Sequence, residues 1–127
     1  MFIQVLFVGL GGFIGAVARF CLYEFVHKTG CTFPLATLLV NIIGSVILGF
    51  VLYSFVPGKM IPIEYRLFVN AGIIGAFTTM GTFAHETIVL FESGASAVAL
   101  VNMALNVLLS LGAILCGKWL ALYFYVK

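Results

Sequence analysis

The chain has 127 residues, of which 64% are hydrophobic and only 8% are charged, with a formal net charge of +2. In a soluble domain of this size, roughly a quarter of the residues would be charged, so the composition indicates an integral membrane protein. The small net charge gives no support to a nucleic-acid partner. The cysteines, Cys21, Cys31 and Cys116, contain no C-x-x-C pair, so we expect neither a disulfide framework nor a cysteine metal site.

Each helical span of a bilayer needs about 20 apolar residues, and four such spans nearly exhaust the chain. We therefore predict one all-α transmembrane domain over residues 1–127, with spans at about residues 2–26, 34–56, 66–91 and 95–124. No soluble domain and no cleavable signal are expected, because the first apolar run lacks a basic leading region and is too long. The very short turn at residues 92–94 makes the third and fourth spans antiparallel neighbours.

The first span carries small residues and one deep cation. Gly11, Gly15 and Arg19 lie at i, i+4 and i+8 on one helix face, and small residues let a second backbone approach closely. Arg19 lies roughly two turns from the first loop, where an arginine costs at least ~2.5 kcal/mol unless it faces protein or water. Two interpretations stay open, a snorkelling anchor and an interior cation.

The second and fourth spans each carry a polar stripe at four-residue spacing. The stripes are Thr37, Asn41 and Ser45 on the second span, and Asn102, Asn106 and Ser110 on the fourth. An intramembrane asparagine needs a hydrogen-bond partner, so each stripe either joins helices together or lines a pore. The sequence leaves both roles open.

Residues 75–83, GAFTTMGTF, stand in the middle of the third apolar run. Glycine destabilises a helix interior, and threonine can bond its own backbone instead of the helical ladder. We predict that the third helix is broken here, near the membrane midplane, in a place buried in protein or lining a polar cavity. Freed carbonyls at such a break suit a cation and freed amides suit an anion, so the pattern indicates an ion pathway.

Polar residues of all four spans are expected at one depth. Arg19, Asn41, Thr82 and Asn102 each lie about 7–10 residues, or roughly 10–15 Å, from the side that carries the first and third loops. Thr78, Thr82 and Glu86 share one face of the third span beyond the break. This convergence favours a path for an ion between the helices.

The charges leave the orientation in the membrane nearly undecided. Lys59, Arg66, Lys118 and Lys127 fall towards the side of both termini, and Arg19 and Lys28 fall towards the other side. The bias under the positive-inside rule is therefore slight, and the chain could insert both ways. Four short helices cannot enclose an aqueous pore alone, so we expect an oligomer, most economically a pair. In an inverted pair, the break would meet its own copy at a two-fold axis in the membrane plane.

Three motifs resemble those of one known family, the Fluc (CrcB) fluoride channels. Residues 11–20, GGFIGAVARF, resemble its GGxxGAxxR opening, and residues 37–45, TLLVNIIGS, are similar to its T-x-x-V-N-x-x-G-S second helix. Residues 72–83, GIIGAFTTMGTF, resemble its G-x-x-G-x-x-TTFSTF signature. The resemblance covers the whole chain in length, span number and motif order.

The resemblance implies a dual-topology homodimer with two antiparallel fluoride pores, in a bacterial plasma (inner) membrane. It also implies a structural sodium ion at the interface, held by backbone carbonyls that are best placed on Gly75 and Thr78. Asn41 matches the pore-facing asparagine of the family, and Arg19 matches its first-helix arginine. The implied activity is passive conduction of fluoride, with membrane lipid as the surrounding partner.

The signature departs from the family pattern at Met80 and Gly81, where the pattern has phenylalanine and serine. Methionine has similar bulk but lacks the electropositive edge of an aromatic ring, which leaves Phe83 as the aromatic contact. We expect the fluoride path to be lined by Thr37, Asn41, Thr79, Met80, Thr82, Phe83, Asn106 and Ser110, with Arg19 and Glu86 in its vestibule.

Two other classes of protein compete with a channel. A small dual-topology exporter of fluoride or of cationic drugs, coupled to protons, needs a carboxylate near the middle of the membrane. Glu24 lies at the end of the first span, and Glu86 lies towards one side of the third. A non-transporting membrane assembly subunit explains the small-residue faces but not the polar stripes. An enzyme is not expected, because no base, nucleophile and acid converge at compatible depth.

Overall fold

The computed structural model describes residues 1–54 and 62–125, the side chain of Tyr125 excepted. Within these residues the chain is helical, and four helices are long and apolar enough to cross a membrane. They are Phe2–His27, Leu35–Ser54, Ile63–Glu92 and Ser96–Tyr125. The expected all-α class with four membrane-spanning helices is thus confirmed. The predicted end of the second span at Val56, the turn at Pro57 and Gly58, and the cations Lys59 and Lys127 lie outside the described residues.

The turn between the third and fourth spans is built around Gly94. Its φ of +81° lies in the left-handed region, which glycine adopts without a steric penalty. The N–H of Gly94 donates to the carbonyl of Phe91 at 3.1 Å, and that of Ala95 donates to the carbonyl of Leu90 at 2.9 Å. This pair of bonds is the Schellman pattern of helix ends, and it makes the fourth span return antiparallel to the third.

The third span changes its helical geometry along its length. Residues Ile63–Arg66 are α-helical, Leu67–Ile74 form a π-helical segment, Gly75–Phe77 return to α-helix, and Met80–Glu92 complete the span. Between the last two pieces, Thr78 (φ −75°, ψ 155°) and Thr79 (φ −146°, ψ 115°) are extended. The span bends by only 14°. The structure therefore has one nearly straight span that contains two extended residues, and the predicted break of the third helix is not confirmed.

The helices pack as two close pairs, the first helix with the first half of the third span and the second helix with the fourth. Glycine makes both contacts possible. A Cβ added at Gly15 would lie 2.1 Å from the carbonyl oxygen of Ile73, and one added at Gly49 would lie 2.3 Å from that of Ile114. At these positions backbone touches backbone, which is the close approach that small residues at helical spacing predict.

Gly117 offers a direct test of this packing, because a Cβ there would lie 2.1 Å from the carbonyl oxygen of Val46. We expect Gly117→Ala to lower the free energy of unfolding by about 1–3 kcal/mol, since overpacking forces backbone shifts. Gly112 is the matched control on the same helix, because a Cβ there meets nothing within 4 Å. Thermal unfolding of both variants in detergent gives the comparison. A Gly117→Ala melting temperature equal to that of Gly112→Ala would contradict the packing argument.

Candidate functional site

The second of the two extended residues, Thr79, is held by the side chain of Asn41 on the second helix. Its Oδ1 accepts from the backbone N–H of Thr79 at 2.9 Å, and its Nδ2 donates to the carbonyl of Thr79 at 3.2 Å. The N–H of Thr78 still donates to the carbonyl of Ile74 at 3.0 Å, but the backbone of Thr79 has left the helical ladder, and an unsatisfied backbone group at membrane depth costs several kcal/mol. The amide of Asn41 supplies both missing partners, so the second helix holds the interruption in place.

A chain of amide hydrogen bonds leads from Asn41 into the fourth helix. Asn41 Nδ2 donates to Asn106 Oδ1 at 2.9 Å, and Asn106 Nδ2 donates to Asn102 Oδ1 at 2.9 Å and to its carbonyl at 3.1 Å. Asn102 Nδ2 then donates to Thr87 Oγ1 at 3.0 Å, back on the third span. Asn102, Asn106 and Thr87 are buried. These bonds join the second, third and fourth helices, so Asn102 has the helix-joining role.

Thr87 was not singled out from the sequence, although a signal for it exists. Thr87 and Asn102 lie at similar distances along the chain from the turn at Ser93 and Gly94, so antiparallel helices bring them opposite each other. Asn102 does not meet Asn41 directly, and Asn106 lies between them. Asn41 therefore contacts the residue one helical turn beyond Asn102 on the fourth helix.

The interruption also releases backbone groups. Because Thr78 and Thr79 are extended, the carbonyls of residues 75–78 lose their helical partners one turn later. The hydroxyl of Thr79 caps the following helix, accepting from the N–H of Thr82 at 3.2 Å. The N–H groups of Met80 and Gly81 stand in the first turn, where no helical acceptor exists. Carbonyls and amides of opposite polarity are thus exposed within a few residues of each other.

An open groove of about 400 Å³ lies beside this interruption. It brings together most of the residues predicted to line the ion path, which are Asn41, Thr79, Met80, Phe83, Asn106 and Ser110. Phe83 is buried, and Met80 is 72% exposed, so the methionine lies at the outer edge of the groove. The hydroxyl of Ser110 makes no hydrogen bond with another described residue and is free to donate into the groove.

A second cleft, of about 370 Å³, contains the deep arginine. Arg19, Tyr23, Glu24 and Thr82 line it, together with Ala16 and Phe20. The two clefts meet at a threonine pair, because Thr79 lines the groove and donates from Oγ1 to Thr82 Oγ1 at 2.9 Å. The bonded pair Thr79 and Thr82 therefore stands between the Arg19 cleft and the groove.

Thr37 and Glu86 line neither the groove nor the Arg19 cleft. Thr37 is fully buried and donates from Oγ1 to Glu86 Oε1 at 2.8 Å, and its Oγ1 also contacts the hydroxyl of Tyr23 at 2.5 Å. Sequence reasoning missed Tyr23, although it lies one turn beyond Arg19 on the same face. Of the two residues predicted to hold a cation, Thr78 lines the groove and Gly75 is exposed outside it.

Asn41→Ala would remove both partners of the Thr79 backbone. We expect a loss of about 1–3 kcal/mol for each buried group left unsatisfied, seen as a lower melting temperature and faster hydrogen exchange near the interruption. Ser45→Ala is the matched control, because Ser45 lines the groove one turn further along but makes no hydrogen bond with a described residue. Equal losses in the two variants would show that Asn41 does not hold the interruption.

Comparison with known proteins places the chain in a family. The family model of the CrcB-like proteins, Camphor Resistance (CrcB), matches residues 6–118. The Fluoride-specific ion channel FluC of Methanocaldococcus jannaschii is 45% identical over 122 residues, covering 94% of each chain. FluC 1 of Methanosarcina acetivorans is 42% identical over 93% of this chain and 90% of its own length. FluC of Shewanella woodyi is 44% identical over 92% of this chain and 94% of its own length. The chain is an integral membrane protein that belongs to the CrcB-like family.

Proposed function

We propose that the chain is a fluoride channel, not an enzyme, and that fluoride passes by passive conduction through the Arg19 cleft and the groove. The observation that carries the proposal is the groove beside Thr79, where hydroxyl, amide and backbone donors converge with Phe83. Similar proteins that match over nine-tenths of this chain carry the name Fluoride-specific ion channel FluC. Their name and the donor-lined groove support the same activity.

Fluoride is small and strongly hydrated, so a selective path must replace much of its water shell without trapping it. In the groove, the Ser110 hydroxyl and the N–H group of Met80 are available donors. The Asn41 amide hydrogens are already used by Thr79 and Asn106, so Asn41 acts mainly by holding the other donors. Arg19 lowers the barrier for an anion that enters from its side.

The rival exporter requires a carboxylate near the middle of the membrane to carry protons. Among the described residues that line the groove there is no carboxylate, and Glu86 lines neither opening. Glu24 lines only the Arg19 cleft, near the end of the first helix. This distribution favours conduction over proton-coupled export.

We further propose that two copies assemble in inverted orientation. The groove is open, and Met80 and Gly75 beside it are exposed, so a second copy would complete its wall. In that arrangement the released carbonyls of Gly75 and Thr78 in both chains would converge near the two-fold axis. Backbone carbonyls at unwound membrane helices are suited to sodium, and a structural sodium ion fits this donor set.

Fluoride efflux from liposomes that contain the purified protein tests the activity. Potassium fluoride is trapped inside the liposomes. A potassium ionophore dissipates the membrane potential that fluoride efflux would build up, and an electrode records the external fluoride. We expect rapid fluoride efflux without a proton gradient and no comparable chloride efflux. Efflux that requires a proton gradient would favour the exporter, and no fluoride efflux would contradict the proposal.

Met80→Phe restores the aromatic residue of the family signature. We expect the parent chain and the Met80→Phe variant both to select fluoride over chloride. Their conduction rates should differ several-fold, because one aromatic contact contributes roughly 1 kcal/mol. Met103→Phe is the control, since Met103 is exposed but does not line the groove. A parent chain that is inert until Met80→Phe is made would show that the ring is indispensable. Equal rates would show that position 80 only fills space.

Dual topology predicts that each loop is found on both sides of the membrane. In a background with Cys21, Cys31 and Cys116 replaced, single cysteines at Thr29 and at Ser93 should each react with an impermeant reagent from both sides, in about equal amounts. Both positions are exposed. Labelling of either cysteine from one side only would exclude the inverted pair, and with it the shared sodium site.

A further inference from the structure

We propose that Tyr23 is a positioning residue for the fluoride path and that it acts through Thr37 to hold the Glu86 carboxylate out of that path. Tyr23, Thr37 and Glu86 are named the carboxylate clamp. The effect on conduction rests on the proposed function, whereas the position of the carboxylate does not.

The clamp joins the first three spans by two consecutive hydrogen bonds. Thr37 Oγ1 donates to Glu86 Oε1 at 2.8 Å, and the Tyr23 hydroxyl lies 2.5 Å from the same Thr37 oxygen. A threonine hydroxyl has one proton. Because Thr37 uses its one proton in the hydrogen bond to the carboxylate, the Tyr23 hydroxyl must be the donor in its bond with Thr37. Both hydrogens then point towards the negative charge.

Glu86 depends on this contact. Its second oxygen, Oε2, is buried and has no hydrogen-bond partner among the described residues, so Oε1 is the only anchored oxygen. Hydrogen bonds that end on a charged acceptor are stronger than neutral ones, and bonds in series polarise one another. Removing the Tyr23 hydroxyl therefore weakens the hold of Thr37 on the carboxylate.

A released carboxylate has a nearby place to go. Thr82 lies one helical turn before Glu86 on the same face and lines the Arg19 cleft, as Tyr23 does. The other charged or titratable groups near the Glu86 carboxylate are Glu24 in the Arg19 cleft and His85, which is exposed. In the cleft, the carboxylate would neutralise Arg19 and repel fluoride. The clamp keeps the positive charge of Arg19 available to the entering anion.

Chemical labelling of Glu86 tests the position of the carboxylate. The purified protein is treated with a water-soluble carbodiimide and an amine, and the modified peptides are measured by mass spectrometry. We expect Tyr23→Phe to raise the modification of Glu86 several-fold relative to Glu92, which is exposed. Tyr53→Phe is the matched control. Lys118 Nζ lies 4.7 Å from the centroid of the Tyr53 ring, and the Tyr53 hydroxyl makes no hydrogen bond with a described residue. Unchanged labelling of Glu86 in Tyr23→Phe would overturn the clamp.

Fluoride efflux tests the consequence in two backgrounds. Tyr23→Phe should slow efflux by roughly two- to tenfold, the range that one hydrogen bond's net contribution covers. In a Glu86→Gln background, which has no carboxylate to release, Tyr23→Phe should have no further effect. The same loss in both backgrounds would make Tyr23 a packing residue and overturn the proposal. Thr37→Val should slow efflux in the same way. Thr37→Ser, which keeps the hydroxyl, should conduct fluoride at the rate of the parent chain.

The two measurements separate the clamp from the proposed function. Labelling does not depend on conduction. A parent chain that passes no fluoride would contradict the proposed channel function, and labelling of Glu86 would still test the clamp. A conducting chain whose efflux and labelling are both unaffected by Tyr23→Phe would contradict the clamp alone.

Discussion

Two hydrogen bonds join the side-chain amide of Asn41 to the backbone of Thr79 at the point where the third span leaves helical geometry. A hydrocarbon environment offers no water to satisfy an irregular backbone, so the backbone of Thr79 takes its partners from an amide on another helix. The cap that the Thr79 hydroxyl forms on the N–H of Thr82, the released carbonyls and the groove all lie at this interruption. The second helix is therefore as much a part of the interrupted site as the third span itself.

Glycine and asparagine divide the work of packing. Where helices of one close pair meet, backbone touches backbone, and Gly15 and Gly49 leave no room for a side chain. Between the pairs, amide side chains bond the polar groups of the third span, as Asn41 does with the Thr79 backbone and Asn102 with Thr87. Tight packing without polar side chains would leave no route for an ion, whereas polar side chains without tight packing would expose amides to lipid. The combination places a polar interior within an apolar exterior.

Charge in the membrane interior is confined to a few positions. Arg19 lines an open cleft, where it can attract an anion, while Glu86 is turned towards Thr37 and away from both openings. The attraction between opposite charges grows as the local dielectric falls, so a released Glu86 carboxylate would be drawn towards Arg19. The hydrogen bond from Thr37, with Tyr23 behind it, is the arrangement that keeps them separate.

The sequence by itself determined the membrane class, the four spans and the groups that would converge. Hydrophobicity and span length act locally, so they can be read from any window of about 20 residues. The four-residue spacing predicted correctly that Asn41 and Asn106 would face the interior, and the threonines and glycines of residues 75–83 marked the irregular backbone. What these patterns could not supply was which helix stands opposite which, and at what height.

Only the tertiary structure decided that Asn41 meets Asn106 and not Asn102, that the third span stays nearly straight, and that Tyr23 and Thr87 complete the polar network. Each of these depends on the axial offset between packed helices. That offset is set by the closest glycine contacts, such as Gly117 against Val46, and by the length of the connecting turn. A shift of one turn changes every polar partner and leaves the hydrophobic pattern of each helix untouched, so no single helix carries the information in its own sequence.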